Sequence, residues 1–160
     1  MANPFGTYII STSGLTTSTT SDFFQLRNPT GIRAEILEIS VFQTGSTALA
    51  MNAIRLLRGT GGTGGTSITT EYSLDTAGVA PGSNIDPYTN SGGAFSANVG
   101  ASTTTLIYFV GWNTLQAAVW LPTPKFPLVL RPSDQLGLSL NVSATISGVG
   151  VNIVLELYGA

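Results

Sequence analysis

The chain has 160 residues, of which 42% are hydrophobic and only 9% charged, with six Lys and Arg against eight Asp and Glu. That length suits one domain, and ordinary hydrophobicity with scarce charge is the reverse of the disorder signature. The absence of Cys and His excludes a disulfide framework, a thiolate zinc site and imidazole catalysis, and no basic stripe exists to neutralise nucleic acid or an anionic membrane.

Reading from the start, Met1-Ala2-Asn3-Pro4 has no basic n-region and no apolar h-region follows, so synthesis as a soluble protein without a signal peptide is expected. Residues 1–21 are poor in charge and rich in Thr and Ser, and the extended stretch 5–10 reads either as a first strand or as a terminal arm. In residues 32–43, Ile32, Ala34 and Ile36 keep one phase while Leu37, Ile39 and Val41 keep the other. A β-bulge near Ile36-Leu37 would restore one buried face, and the β-branched content favours a strand over a helix. Residues 46–58 have a helix-like start at Ser46 and a stop at Gly59, but the all-β context makes 51–58 a strand. The Gly/Thr/Ser-rich excursion 59–104 is too long for a bare loop, so short strands are expected around Ile68, Tyr72 and Leu74 and around Phe95, Ala97 and Val99, with 59–65 mobile.

Residues 106–112 (LIYFVGW) are apolar on both faces, which fits a central strand or a face that meets another subunit. Residues 117–121 follow across Asn113-Thr114 and read as the second half of a hairpin. Pro122, Pro124, Pro127 and Pro132 make 126–131 a crossing segment or an edge strand. Leu136, Leu138, Leu140 and Val142 alternate with polar or small residues, and so do Val149, Val151, Ile153, Leu155 and Leu157. Both runs are one-sided strands, and the short link between them reads as a hairpin. About eight principal strands with regular turn signals and no βαβ unit point to an all-β sandwich or jelly roll over residues 1–160.

Motifs that carry chemistry are weak. Residues 59–64 match G-x-G-x-x-G, but no helix former follows to present its N-terminus to a phosphate. Without His or Cys, a nucleophile would need Lys125 or a carboxylate as its base, and Glu71, Asp75 and Asp86 are too scattered for a carboxylate pair. Asp75 and Asp86 also lack the alternating spacing of a calcium loop, and Asn141-Val142-Ser143 is a glycosylation sequon by pattern only. The reading is therefore non-enzymatic, with no cofactor and no metal. The polar surface must be Thr, Ser, Asn and Gly, which is cheaper to desolvate than a charged skin and suits burial against neighbours. Tyr108, Trp112 and Trp120 are candidate subunit-interface residues, or alternatively a platform for stacking a carbohydrate.

Three segments carry a resemblance: Arg55-Leu56-Leu57-Arg58-Gly59 before the excursion, Trp112-Asn113 followed by Trp120-Leu121-Pro122-Thr123-Pro124, and Pro127-Leu128-Val129-Leu130 followed by Pro132-Ser133-Asp134-Gln135-Leu136. Over about residues 5–158 the chain resembles small virion proteins of tailed bacteriophages and prophages, of the capsid decoration or cement type. The resemblance implies a tumour-necrosis-factor-like jelly roll, a homotrimer, the major capsid protein of a phage as partner, and the capsid surface of the virion as location. A tail or head-fibre tip protein is the alternative in the same class, and a carbohydrate-binding jelly-roll module the alternative outside it. In this reading the terminal arm 1–21 adds a strand to the shell, with Phe5, Tyr8 and Ile10 as its capsid contacts.

Overall fold

A computed structural model describes residues 4–17, 21–29, 32–44, 51–68, 71–74, 85–91, 95–99, 103–141 and 145–158. These form strands β1 (Pro4–Thr17), β2 (Asp22–Arg27), β3 (Arg33–Gln43), β4 (Met51–Thr60), β5 (Thr63–Gly64), β6 (Thr66–Ser67) and β7 (Glu71–Ser73). They continue with β8 (Asp86–Thr89), β9 (Phe95–Ala97), β10 (Thr103–Asn113), β11 (Ala118–Trp120), β12 (Leu128–Leu130), β13 (Gln135–Leu140) and β14 (Ile146–Tyr158). The described residues contain no α-helix.

Two antiparallel sheets make the body of the protein. The first has the order β11–β3–β14–β1–β7, with β12 also on the free side of β3; the second has the order β10–β4–β13–β2–β8–β6. The small strands β5 and β9 pair with each other over residues of the excursion. Of the long strands, β1, β3 and β14 lie in the first sheet and β2, β4, β10 and β13 in the second. Their inward residues form one core. Tyr8, Ile10, Ile36, Ile39, Val151, Ile153 and Leu155 come from the first sheet, and Leu26, Ile54, Leu56, Leu136 and Leu138 from the second. The molecule is an all-β sandwich.

The period-2 patterns located these strands because each hides one face. Val149, Val151, Ile153, Leu155 and Leu157 are all at most 1% exposed, while Asn152, Val154, Glu156 and Tyr158 between and after them are half-buried on the outer face. The phase change in β3 is a bulge at Leu37: Ile36 pairs with Leu155 and Glu38 with Val154, so Leu37 has no partner. That slip lets Ala34 and Ile36 share the core with Ile39 and Val41. Residues 51–60 form β4, so tertiary pairing overrides a helix-forming local sequence, while 45–50 lie outside the described residues.

Strand partners differ from the sequence expectation in two places. β13 pairs with β2 and β4, and β14 pairs with β1 and β3, so the two runs are not a hairpin but cross from one sheet to the other. Likewise β10 pairs with β4 while β11 pairs with β3. Alternation fixes which face of a strand is buried, but a short link serves a hairpin and a sheet-to-sheet crossing equally. β10 is also an edge strand, not a central one. β2 escaped the sequence reading altogether, although Phe24 and Leu26 flank Gln25 in strand phase.

Candidate functional site

The first candidate is the open side of the sandwich, where β10 ends the second sheet and β11 and β12 end the first. Here Tyr108 and Trp120 face each other across the sheets, with ring centroids 5.7 Å apart at 40°. Behind them an apolar cavity of about 20 Å³ is walled by Ile39, Val41, Ile54 and Leu56. In front, a groove of about 370 Å³ runs between the two sheet edges, lined by Arg58, Ile107, Trp120, Phe126 and Leu128. The apolar surface extends outward: Leu106 is 53% exposed, Val119 51%, Leu121 62% and Phe126 75%.

Charge is nearly absent from this side. No Asp or Glu occurs between Asp86 and Asp134, and β10 itself has neither a charged residue nor a proline in its eleven positions. Arg58 is neutralised by an ion pair with Asp134, and Lys125 lies over the ring of Phe126. The other sheet edges carry protective devices against stray pairing. β6 and β7 are two and three residues long, and β11 and β12 are interrupted by Pro122, Pro124 and Pro127. β10 is eleven residues long and unguarded apart from a bulge beside Ile107.

The sequence-predicted interface residues divide here. Tyr108 and Trp120 are half-buried at this edge, but Trp112 is 1% exposed and donates its indole Nε1 to the carbonyl of Gln116 at 2.9 Å, so its side chain is spent inside the chain. Of the proposed capsid contacts, Tyr8 and Ile10 are each 1% exposed in the core. They belong to β1, which lies between β14 and β7, so the segment is an inner strand and not a free arm. The alternation of Tyr8 and Ile10 that suggested a presented edge is the imprint of the core. The side chain of Phe5 lies outside the described residues, as do residues 1–3, 18–20 and Asp75.

The second candidate is a polar network on the outer face of the second sheet, which sequence reasoning missed. Asp22, Gln25 and Arg27 follow one another on β2: Gln25 Nε2 donates to Asp22 Oδ2 at 2.9 Å, and Arg27 Nε donates to Gln25 Oε1 at 3.0 Å. The excursion lies across them. Val99 N donates to Asp22 Oδ2 at 2.7 Å, Asp22 N to Asn98 Oδ1 at 2.9 Å, and Gln25 Nε2 to the carbonyl of Ala97 at 3.0 Å. The 59–65 segment, read from sequence as mobile, is tied down as well: Gly62 N donates to Gln135 Oε1, and Arg27 Nη2 donates to the carbonyl of Gly64. Burial raises the Asp22 carboxyl above its ordinary range, against the lowering effect of Val99 N–H and Gln25, and burial lowers the Arg27 guanidinium. The only sequence signal was a lone acid opening a run of alternating apolar residues.

Among the described residues, no three His, Cys, Asp or Glu side chains come together as metal ligands. No protein-family model matches the chain, and no curated protein matches it.

Proposed function

We propose that the chain is a structural virion protein, a jelly-roll subunit that forms a homotrimer and, as a decoration or cement protein, braces the head shell of a tailed bacteriophage. Reduced to its eight principal strands, with β11 and β12 counted as one, the connectivity reads 6-3-8-1 in one sheet and 5-4-7-2 in the other. That is the wrapping of two Greek keys, which supports the jelly-roll reading. The bacteriophage setting rests on the sequence resemblance alone.

The observation that carries the self-association is the β10–β12 edge. Exposed Leu106, Val119, Leu121 and Phe126 lie on or beside the strands of this edge, next to an unguarded strand, and large exposed apolar side chains of this kind support an interface. The scarcity of charge keeps its desolvation cheap. Its role is mechanical: three weak attachments joined in one trimer multiply into long residence on a shell. Sedimentation velocity of the full chain should give three times the 16.6 kDa monomer mass. The double variant Val119→Lys, Phe126→Glu should sediment as a folded monomer and no longer co-sediment with purified phage heads. A wild-type monomer at micromolar concentration would remove the self-association. A trimer that binds purified tails instead of heads would move the protein to the tail or fibre tip.

A further inference from the structure

A closed trimer makes a demand that the β10–β12 edge alone does not meet. A patch that meets its own copy about a twofold axis closes a dimer, whereas a ring of three joins two different patches of each chain, head to tail. The edge therefore needs a second, unlike surface on the same subunit.

The exposed large apolar side chains among the described residues fall into two groups. One belongs to the β10–β12 side: Met51, the register partner of Asn113, Leu106 on β10, Leu115 in the turn to β11, Val119 on β11, and Leu121 and Phe126 between β11 and β12. The other is Tyr72 and Leu74, each 58% exposed, on or just past β7 at the opposite edge of the first sheet. With three residues β7 has little backbone to offer a further strand, so what it presents is side chains. Tyr72 pairs with Ile9, Ile9 with Val154 and Val154 with Glu38, and register partners project to the same face. Tyr72 thus ends a row on the outer face of the first sheet in which Ile9 and Val154 are half-buried. Leu74 N donates to the carbonyl of Thr7 at 2.9 Å, and Thr7 heads the adjacent row through Glu156 to Glu35.

The two surfaces also differ in sign. The outer face at these rows carries Glu35, Glu38 and Glu156 against Arg33, while the β10–β12 side carries Arg58, Lys125 and Arg131 against Asp134. Complementary potentials favour contact between unlike patches and oppose contact of either patch with its own copy. We propose that the β7 edge, with Tyr72 and Leu74 at its front and the acidic outer face beside it, receives the β10–β12 edge of a second copy of this chain and closes the ring head to tail. This contact rests on the self-association proposed for the β10–β12 edge and supplies its other half.

Sedimentation velocity of full-length variants tests it. Tyr72→Lys, Leu74→Lys places positive charge where the basic edge docks, and it should turn the trimer into a folded monomer of 16.6 kDa with an unchanged melting temperature. Val119→Lys, Phe126→Glu should do the same from the other side. Mixed at about 200 μM each, so that one contact registers without ring closure, the two monomers should form a heterodimer of twice that mass. One variant brings an intact β7 edge, the other an intact β10–β12 edge, and their altered ends stop further growth. Should the lysine variant fail to fold, Tyr72→Ser, Leu74→Ser adds no charge and should weaken association at least tenfold. A wild-type trimer that survives the β7 substitutions overturns this contact and leaves the trimer standing, and so does a failure of the mixed monomers to pair. A wild-type monomer, or a dimer indifferent to the β7 substitutions, overturns the contact together with the trimer.

Discussion

At Asp22 a carboxylate only 2% exposed accepts from Val99 N and Gln25 Nε2 through one oxygen, while its other oxygen has no partner. Burial raises its pKa, so the folded state holds the proton more tightly than the unfolded state does. The contribution to stability is therefore fully present below the unfolded value of 3.8 and is lost as the pH rises through the folded value. Denaturant unfolding of Asp22→Asn, which cannot titrate, should lack this component of the pH slope, and it should keep the contact to Val99 through the amide oxygen. Asp22→Ala strands two buried donors and should cost about 2–4 kcal/mol at neutral pH. Tyr158 sits at the other extreme of the scale: its hydrogen bond to Glu156 and the nearby carboxylate charge push the phenol up to about 12. An ultraviolet titration should then contain a phenol step near pH 12, and Tyr158→Phe should remove it. The stability held by this proton is lost between pH 10 and about 12.

At the scale of strands, legibility followed burial. β14 and the inner face of β13 could be read because their buried residues repeat every second position, and the bulge at Leu37 because the repeat changes phase there. Partners could not be read: nothing in residues 135–157 distinguishes a hairpin from a crossing between sheets. β13 also hides a second layer that alternation concealed, since Gly137 and Ser139 on its outer side are both buried, Gly137 against Asp22 and Val99. A Cβ at Gly137 would stand 2.7 Å from Asp22 Oδ2 and 3.0 Å from the Val99 Cβ. Gly137→Ala should therefore displace the 95–99 segment and cost about 1–3 kcal/mol. Hydrogen exchange should show Val99 losing protection while the Leu138 amide keeps it. The candidate site was half legible: Tyr108 and Trp120 do meet at an edge, but the residues around Arg27 are assembled from three strands far apart in the chain, and no local pattern announces such a row.

For the molecule as a whole, the first strand is structural. Tyr8 and Ile10 fill the core, and β1 is hydrogen-bonded on both sides, to β14 and β7. Removing two such side chains costs about 2–5 kcal/mol each. Total stability is about 5–15 kcal/mol, so deleting residues 1–10 should abolish cooperative unfolding rather than merely weaken attachment to a partner. Circular dichroism of the truncated chain decides it, and a sharp, unchanged melting transition would contradict the placement of β1.

The pairing of β1 with β14 also sets a timetable. Thr7 and Glu156, joined by a side-chain hydrogen bond, are 149 positions apart. On a ribosome adding about 5–20 residues per second, β1 leaves the exit tunnel and waits on the order of ten seconds for the strand that completes its ladder. During that wait Tyr8 and Ile10 have no core to enter, and one side of the strand is an open template for any neighbouring chain. Many copies translated close together on one message would expose such strands side by side. Correct assembly is then a race between the arrival of the last strand and the first collision between unfinished copies. Slowing translation near the end of the message should raise the yield of aggregate without altering a single contact in the finished protein.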